Sequence, residues 1–149
     1  LAASCKLEGV SIAENMQRIY ETYGYYKTQV VSVELDGEAG KQRCSTFIDS
    51  LRDNCPGEIA GLQVKTVADY KLGVEKDLSS GEEKKLDFPS SNVLSYGVGQ
   101  RSRVILRPSG TEPKLKIYYF AADDTAEAAQ ATLERLKRAM AEKLRQAGV

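Results

Sequence analysis

The spacing of apolar residues changes along the chain, and this change constrains the fold more than any other feature of the sequence. A spacing of 3.6 residues predicts an amphipathic helix, and strict alternation predicts a half-buried strand. The helical segments are residues 12–23, 44–55 and 129–144, and the alternating segments are residues 28–35, 62–70 and 115–119. We therefore expect an α+β domain with antiparallel, hairpin-connected strands and helices that cover one face of the sheet.

Residues that favour turns lie between the predicted helices and strands in the first half of the chain. Gly24 is expected to end the first helix and Pro56-Gly57 the second, since glycine and proline are common just past a helix. Asp36-Gly37 predicts a turn after the first strand. The polar residues 73–91 are expected to form an exposed loop between strands.

The second half of the chain predicts a hairpin and a capped helix. Short strands are expected over residues 93–96 and 103–106, joined by a turn at Gly97-Val98-Gly99. Asp124, followed three residues later by Glu127, is expected to cap the last helix as an aspartate version of the capping box.

Composition excludes several classes of site. The chain of 149 residues has 21 basic and 21 acidic side chains, so any anion site must be local, and neither a nucleic-acid nor a membrane partner is expected. The absence of histidine excludes histidine-based triads and most zinc sites. Cys5, Cys44 and Cys55 form no Cys-x-x-Cys pair, which favours free thiols in a reducing compartment and a cytoplasmic location.

One segment carries residue types that suit a phosphate group. It reads Arg107-Pro108-Ser109-Gly110-Thr111-Glu112-Pro113-Lys114 and lies between two predicted strands. Arg107 offers a planar set of donors that matches two phosphate oxygens. Ser109 and Thr111 add hydroxyl donors, and Gly110 permits positive φ and a close approach of backbone N–H groups to an anion.

The charged residues near this segment leave two alternatives open. Lys116 follows Lys114 by two positions on a strand, so both share a face and either can approach the same phosphate. Glu112 would repel a phosphate unless it orients a neighbouring cation or points away. The same sequence also fits a tight turn in which Ser, Gly, Thr and Pro serve backbone geometry alone.

The wider sequence resembles one enzyme family. RPSGTEPK followed by LKIYYF resembles the phosphate-binding loop of the α-D-phosphohexomutases, the family of phosphoglucomutase and phosphomannomutase. IYETYGYY resembles the end of that family's third domain, and FPSSNVL resembles the bacterial phosphoglucomutase branch. The resemblance extends over essentially the whole chain and is weakest over residues 73–87.

The resemblance implies a domain division and a site. Residues 28–149 would form the family's C-terminal domain, a TATA-box-binding-protein-like domain with a four-stranded antiparallel sheet and helices on one face. Residues 1–27 would be a helical remnant of the third domain. The residues expected to hold the phosphate that is not transferred are Arg107, Ser109, Gly110, Thr111 and Lys116.

The resemblance also implies a reaction for a larger enzyme. In an intramolecular phosphotransferase of this family, a phosphoserine gives its phosphoryl group to a hexose monophosphate. A glucose 1,6-bisphosphate-type intermediate then turns over with the help of Mg²⁺. This chain has no serine loop of the TASHNP kind, no DGD-type magnesium loop and no GEMSGH-like sugar loop. Asp36-Gly37-Glu38 echoes the metal loop without its second aspartate and is expected to be a turn.

Two main hypotheses follow. In the first, the chain is a mutase domain without catalytic or metal residues of its own, and it needs the remaining mutase domains as partners. In the second, it is a free-standing phosphosugar-binding module, which requires residues 1–27 to be fully buried. A sheet-type nucleic-acid binder is a weaker third hypothesis, based on the interleaved lysines and aromatic residues from Lys114 to Phe120.

Overall fold

The computed structural model describes residues 6–149. Residues 6–8 are helical. The longer helices are α1 (Ile12–Tyr23), α2 (Gly37–Asp53) and α3 (Ala126–Gln146). The strands are β1 (Tyr25–Glu34), β2 (Glu58–Ile59), β3 (Leu62–Asp69), β4 (Val74–Asp77), β5 (Glu83–Lys85), β6 (Leu94–Val98), β7 (Ser102–Pro108) and β8 (Lys114–Asp123).

The strands form one antiparallel sheet, which confirms the predicted α+β class. The strand order is β1-β8-β7-β6-β3-β4-β5, and β2 pairs with β3 outside this path. The sheet is wider than the expected four strands. The extra width comes from the hairpin of β4 and β5, which continues the sheet beyond β3, and from β1, which pairs along the whole of β8. The likeness to the TATA-box-binding protein stays a prediction.

The β4–β5 hairpin corrects the loop that the sequence predicted over residues 73–91. Its turn is stabilised by the Asp77 carboxylate, which accepts hydrogen bonds from the N–H groups of Ser79 and Ser80 at 2.8 and 3.0 Å. Gly81 follows with φ of 76°. All three residues of β5 are charged and exposed, so no apolar alternation marked it as a strand.

The turn between β6 and β7 lies later than predicted. Gly97 and Val98 belong to β6, and the turn begins at Gly99, which has φ of 62°. A Cβ atom on Gly97 would lie 2.3 Å from the Thr66 hydroxyl oxygen of the neighbouring strand. Gly97 is therefore a glycine because two strands approach closely there, and not because the chain turns.

The cap of α3 is also one residue later than predicted. Thr125 has extended φ and ψ, and its hydroxyl accepts a hydrogen bond from the N–H of Ala128 at 3.1 Å. Asp124 instead contacts Arg101 through an ion pair on the surface. Glu127 lies in the first turn, where its charge suits the positive end of the helix dipole.

A single core lies between the helices and one face of the sheet. The predicted apolar faces of α2 and α3 are confirmed, and both helices cover the same sheet face. The buried helix residues are Cys44, Phe47, Ile48, Leu51, Ala129, Leu133, Leu136, Met140 and Leu144. They pack on the sheet residues Leu94, Tyr96, Val98, Val104, Leu106, Leu115, Ile117 and Tyr119. The opposite face, called the open face below, is not covered by a helix among residues 6–149.

A buried polar cluster connects α2 to the end of β3. The Arg52 Nε donates to Asp69 at 2.6 Å, and its Nη2 donates to Asn92 at 2.8 Å. Asp69 also accepts from the N–H groups of Lys71 and Leu72. The carboxylate is thus satisfied by a charge and two backbone donors, as a buried acid requires.

The N-terminal helix forms as predicted but contributes nothing to this core. α1 begins with a capping box between Ser11 and Glu14, and none of its residues is buried. This contradicts the full burial that a free-standing module requires. β1 starts at Tyr25, so residues 25–27, expected in a helical remnant, are part of a strand.

Two further predictions concern the thiols and membrane spans. Cys44 is buried, Cys55 is half-buried and both are free, while Cys5 lies outside the described residues. None of the helices within residues 6–149 is long and apolar enough to cross a membrane.

Candidate functional site

The predicted phosphate segment forms a tight loop between β7 and β8. The N–H of Ser109 donates to the carbonyl of Lys114 at 2.8 Å, and the N–H of Lys114 donates to that of Glu112 at 2.8 Å. The N–H of Leu35, just after β1, donates to the carbonyl of Pro113 at 2.7 Å. The loop is therefore fixed to two neighbouring strands before any ligand arrives.

The polar groups of the loop divide into engaged and free ones. The Ser109 hydroxyl accepts a hydrogen bond from the N–H of Glu112 at 3.1 Å, which leaves its own O–H available as a donor. Gly110 and Thr111 are exposed, and their N–H groups make no hydrogen bond with any described residue. The tip of the loop thus presents backbone donors to solvent.

Gly110 does not use the positive φ that the sequence suggested. Its φ is not among those in the left-handed region. A Cβ atom built on Gly110 would meet no atom within 4 Å, so the backbone is open on that side. The described residues therefore give no steric reason for a glycine here, and the close approach of an anion to its N–H stays a prediction.

Two cations lie directly opposite each other beside the loop. Arg107 on β7 is the register partner of Lys116 on β8, and both are exposed on the open face. Neither side chain makes an ion pair or hydrogen bond within residues 6–149. Like charges directly opposite each other in a sheet are destabilising. Such a pair without a carboxylate partner marks a place where an anion would be favoured.

The structure shows the contacts of the two charged residues whose roles the sequence left open. Lys114 is 31% exposed and lies 3.5 Å from a Glu34 oxygen and 3.8 Å from a Glu112 oxygen. Its charge is therefore already balanced, whereas that of Lys116 is not. Glu112 faces a neighbouring cation, as one of the alternatives required.

No group of three or more His, Cys, Asp or Glu side chains among residues 6–149 converges in a way that could hold a metal. Asp36-Gly37-Glu38, expected as a turn, lies where the chain enters α2: Asp36 precedes the helix, Gly37 has φ of 57°, and its N–H donates to the carbonyl of Leu35 at 3.0 Å.

The structure adds residues to the site region that the sequence did not single out. A cavity of about 320 Å³ lies on the open face next to Arg107. It is lined by Tyr70, Ser91, Val93, Ile105, Arg107 and Tyr118. Ser91 and Val93 belong to the FPSSNVL segment, whose position beside the loop depends on strand pairing that local patterns do not encode.

Comparison with known proteins gives a consistent family. The model of the phosphoglucomutase/phosphomannomutase C-terminal domain matches residues 74–143. The phosphoglucomutase of Staphylococcus aureus strain MRSA252 is 35% identical over 117 residues, which are 78% of this chain and 21% of that protein. The phosphoglucomutase of Staphylococcus saprophyticus is 32% identical over 111 residues, 74% of this chain and 20% of that protein. The chain thus spans about a fifth of the length of these relatives.

A solved structure supports the fold. The crystal structure of the exocytosis-sensitive phosphoprotein pp63/parafusin, a phosphoglucomutase from Paramecium, in its open form superposes with a TM-score of 0.54 at 15% identity. The superposition covers 93% of this chain and 23% of the Paramecium chain. The matched sequence and the shared fold agree with the strand–loop–strand context of residues 107–116. Residues 74–143 match the C-terminal domain of the phosphoglucomutase/phosphomannomutase family, and about three quarters of the chain is similar in sequence to phosphoglucomutases.

Proposed function

We propose that the loop and its two free cations bind the phosphate group of a hexose phosphate. The residues concerned are Arg107, Ser109, Gly110, Thr111 and Lys116. The observation that carries this proposal is the opposed, unpaired charges of Arg107 and Lys116 next to a loop with free N–H groups. An anion bound between the two cations would attract both of them and so offset their mutual repulsion.

Each group has a role that its chemistry supports. The Arg107 guanidinium would donate two parallel hydrogen bonds, and Lys116 would add a point charge. The Gly110 and Thr111 N–H groups and the Ser109 hydroxyl would donate to the remaining oxygens. Charge-assisted hydrogen bonds contribute about 1.5–3 kcal/mol each, so several together exceed the cost of ordering one small anion.

A titration tests this assignment directly. Inorganic phosphate is added to the chain while amide chemical shifts are recorded. We expect saturable shifts at Gly110 and Thr111 with a Kd of about 1 mM or weaker, or roughly −4 kcal/mol, because the chain supplies only one wall of the site. Unchanged shifts at both amides would contradict the proposal.

Substitution of Arg107 supplies the matched comparison. Arg107→Ala should abolish measurable phosphate binding, because it removes the bidentate donor. The control is Arg138→Ala, which removes an exposed arginine of α3 on the helix side of the sheet with the same change in net charge. Equal weakening in both variants would show a non-specific charge effect instead of a site.

The larger proposal concerns the enzyme to which this domain corresponds. We propose that the chain is the phosphate-binding part of a mutase that interconverts hexose 1-phosphate and hexose 6-phosphate in the cytoplasm. Its relatives are named phosphoglucomutases, which favours glucose as the sugar. The phosphoserine, the Mg²⁺ site and the sugar loop would belong to other domains of the enzyme.

An activity assay separates this from an enzyme complete in one domain. The chain, incubated with glucose 1-phosphate and glucose 1,6-bisphosphate, should form no glucose 6-phosphate above the uncatalysed rate. Measurable turnover would contradict the proposal that the phosphoserine and the Mg²⁺ site belong to other domains.

The exposed apolar face of α1 supports contact with other mutase domains. Ile12 and Tyr23 are 52% and 64% exposed although the helix is strongly amphipathic. We propose that this face packs on the domain that precedes it in the whole enzyme, since an apolar helix stripe is normally buried.

A further inference from the structure

We infer that a cavity on the helix side of the sheet binds a small, neutral aromatic molecule that carries a hydrogen-bond acceptor. The cavity lies between α3 and the first two strands of the sheet, β1 and β8, and has a volume of about 320 Å³. Arg107 and Lys116 lie on the opposite face of the sheet. The site is therefore separate from the phosphate loop, and the inference does not depend on the proposed function.

The cavity occurs where the sheet ends at its edge strand. Val31 and Val33 on β1 are only half-buried, whereas their register partners on β8, Ile117 and Leu115, are inaccessible to solvent. The helix side of β8 is thus fully covered and that of β1 only in part. The space beside α3 that remains is the cavity.

The walls of the cavity are mostly apolar and suit a ring. They include Val31, Val33, Ile117, Ala141 and Leu144. An apolar protein cavity of about 150 Å³ stays dry and binds benzene, so about twice that volume has room for a ring with a substituent. A sugar does not fit these walls, because most of its hydroxyl groups would find no hydrogen-bond partner there.

One buried polar group that lines the cavity has no partner. The Tyr119 side chain is only 2% exposed, and its hydroxyl makes no hydrogen bond with any residue from 6 to 149. Tyr96, which is buried in the same core, donates to the Leu51 carbonyl at 3.0 Å. A buried tyrosine hydroxyl normally has such a partner. A ligand in the cavity would supply the partner that Tyr119 lacks.

The Tyr119 hydroxyl decides which polar group the ligand must carry. Burial raises the pKa of Tyr119 to about 12, so the phenol stays protonated at neutral pH and is available as a donor. The ligand must therefore bring an acceptor, such as a carbonyl oxygen. At the rim, Glu134 and Lys137 lie 3.0 Å apart and balance each other, and Arg138 is exposed to solvent. No unbalanced buried charge requires a charged ligand.

Acetophenone is a suitable probe, because it combines one aromatic ring with one carbonyl group. Titration of the chain should give saturable amide chemical shifts at Val33, Tyr119 and Ala141, with a Kd of about 1 mM. The amides of Gly110 and Thr111 should not move, since the phosphate loop is a different site. Shifts that never saturate, or that spread over the whole surface, would contradict a defined site.

Tyr119→Phe tests the hydrogen bond and keeps the ring that packs in the core. This variant should bind acetophenone about threefold to tenfold more weakly, because one neutral hydrogen bond is lost. Toluene has no acceptor and should bind the variant and the parent chain equally well. An equal change for both probes, or no change for acetophenone, would show that the hydroxyl does not contact the ligand.

A substitution on α3 tests the cavity itself. Ala141→Phe adds a ring at an exposed position that lines the cavity, and it should abolish acetophenone binding. The control is Ala131→Phe, the same change at an exposed position of α3 that does not line the cavity, and it should leave binding unchanged. Loss of binding in both variants, or in neither, would overturn the inference.

Discussion

The ion pair between Arg52 and Asp69 is the most enclosed one among the described residues, with side chains 9% and 10% exposed. Removal of one partner of a buried pair typically costs about 3–5 kcal/mol, but Arg52 would keep its ion pair with Asp49 and its hydrogen bond to Asn92. We expect Asp69→Ala to lower the free energy of unfolding by about 3 kcal/mol, the lower end of this range, measured by urea denaturation.

An exposed pair serves as the control for that prediction. Lys76 and Glu83 lie 3.2 Å apart with side chains 45% and 59% exposed. Because solvent screens such pairs, Glu83→Gln should cost less than about 1 kcal/mol. Similar losses of stability for the two substitutions would show that burial does not increase the contribution of the Arg52–Asp69 pair.

Tyr119 predicts a loss of stability at high pH. Burial raises the pKa of Tyr119 from its ordinary value of 10 to about 12. The folded state therefore holds the phenol proton more tightly than the unfolded state does. This contribution is complete below pH 10 and disappears as the pH rises from 10 to 12, on the order of 3 kcal/mol.

The measurement is the free energy of unfolding between pH 9 and pH 12. Tyr119→Phe has no proton to lose and should show a weaker decline over this window. Burial also raises the pKa of Tyr96, whose hydroxyl donates to the Leu51 carbonyl at 3.0 Å, so some decline should persist. Identical pH profiles for the variant and the parent chain would contradict the assignment to Tyr119.

Single residues also show how far the sequence could predict the site. Arg107, Ser109 and Thr111 could be proposed because their donor chemistry suits an anion regardless of the fold. That Lys116, and not Lys114, is free could not be predicted, because it depends on Glu34 of a strand that is distant in sequence. The position of Tyr70 beside Arg107 depends in the same way on the pairing of strands that are distant in sequence.

At the scale of elements, the start of α3 tests which residue caps the helix. Thr125→Ala removes the hydroxyl that accepts from the Ala128 N–H and should cost about 1 kcal/mol. Asp124→Ala removes a surface ion pair in which the aspartate is 88% exposed, and it should cost less. Thermal unfolding of both variants checks the order; a larger loss for Asp124→Ala would restore the cap predicted from sequence.

The elements differ in how well the sequence predicted them. The apolar faces of α2 and α3 were predictable because each helix buries one continuous stripe against the sheet. The hairpin of β4 and β5 was missed because its strands gain backbone pairing without burying an apolar face. The turn near Gly97 was misplaced because a glycine needed for close strand packing looks the same in sequence as one needed for a turn.

At the scale of the whole molecule, burial predicts an uneven resistance to hydrogen exchange. β7, β8 and α3 contribute residues that are almost inaccessible to solvent, whereas α1 has none that is buried. The free energy of opening measured by exchange should therefore be close to zero for amides of α1, as it is for fraying ends. For amides of β8 it should approach the global free energy of unfolding. Hydrogen exchange followed by mass spectrometry measures this difference, and equal protection of α1 and α3 would contradict it.

The opposed charges of Arg107 and Lys116 have a consequence for the ionic strength at which this domain is studied. Because the net charge of the chain is zero, no long-range field adds to or masks this local one. The Debye length, beyond which exposed charges are largely screened from each other, is about 8 Å at 0.15 M salt and about 30 Å at 0.01 M. In dilute buffer the repulsion between the two cations is therefore stronger, and so is their attraction for a divalent anion. Affinity for phosphate should fall as sodium chloride is added, even though the molecule as a whole is neutral.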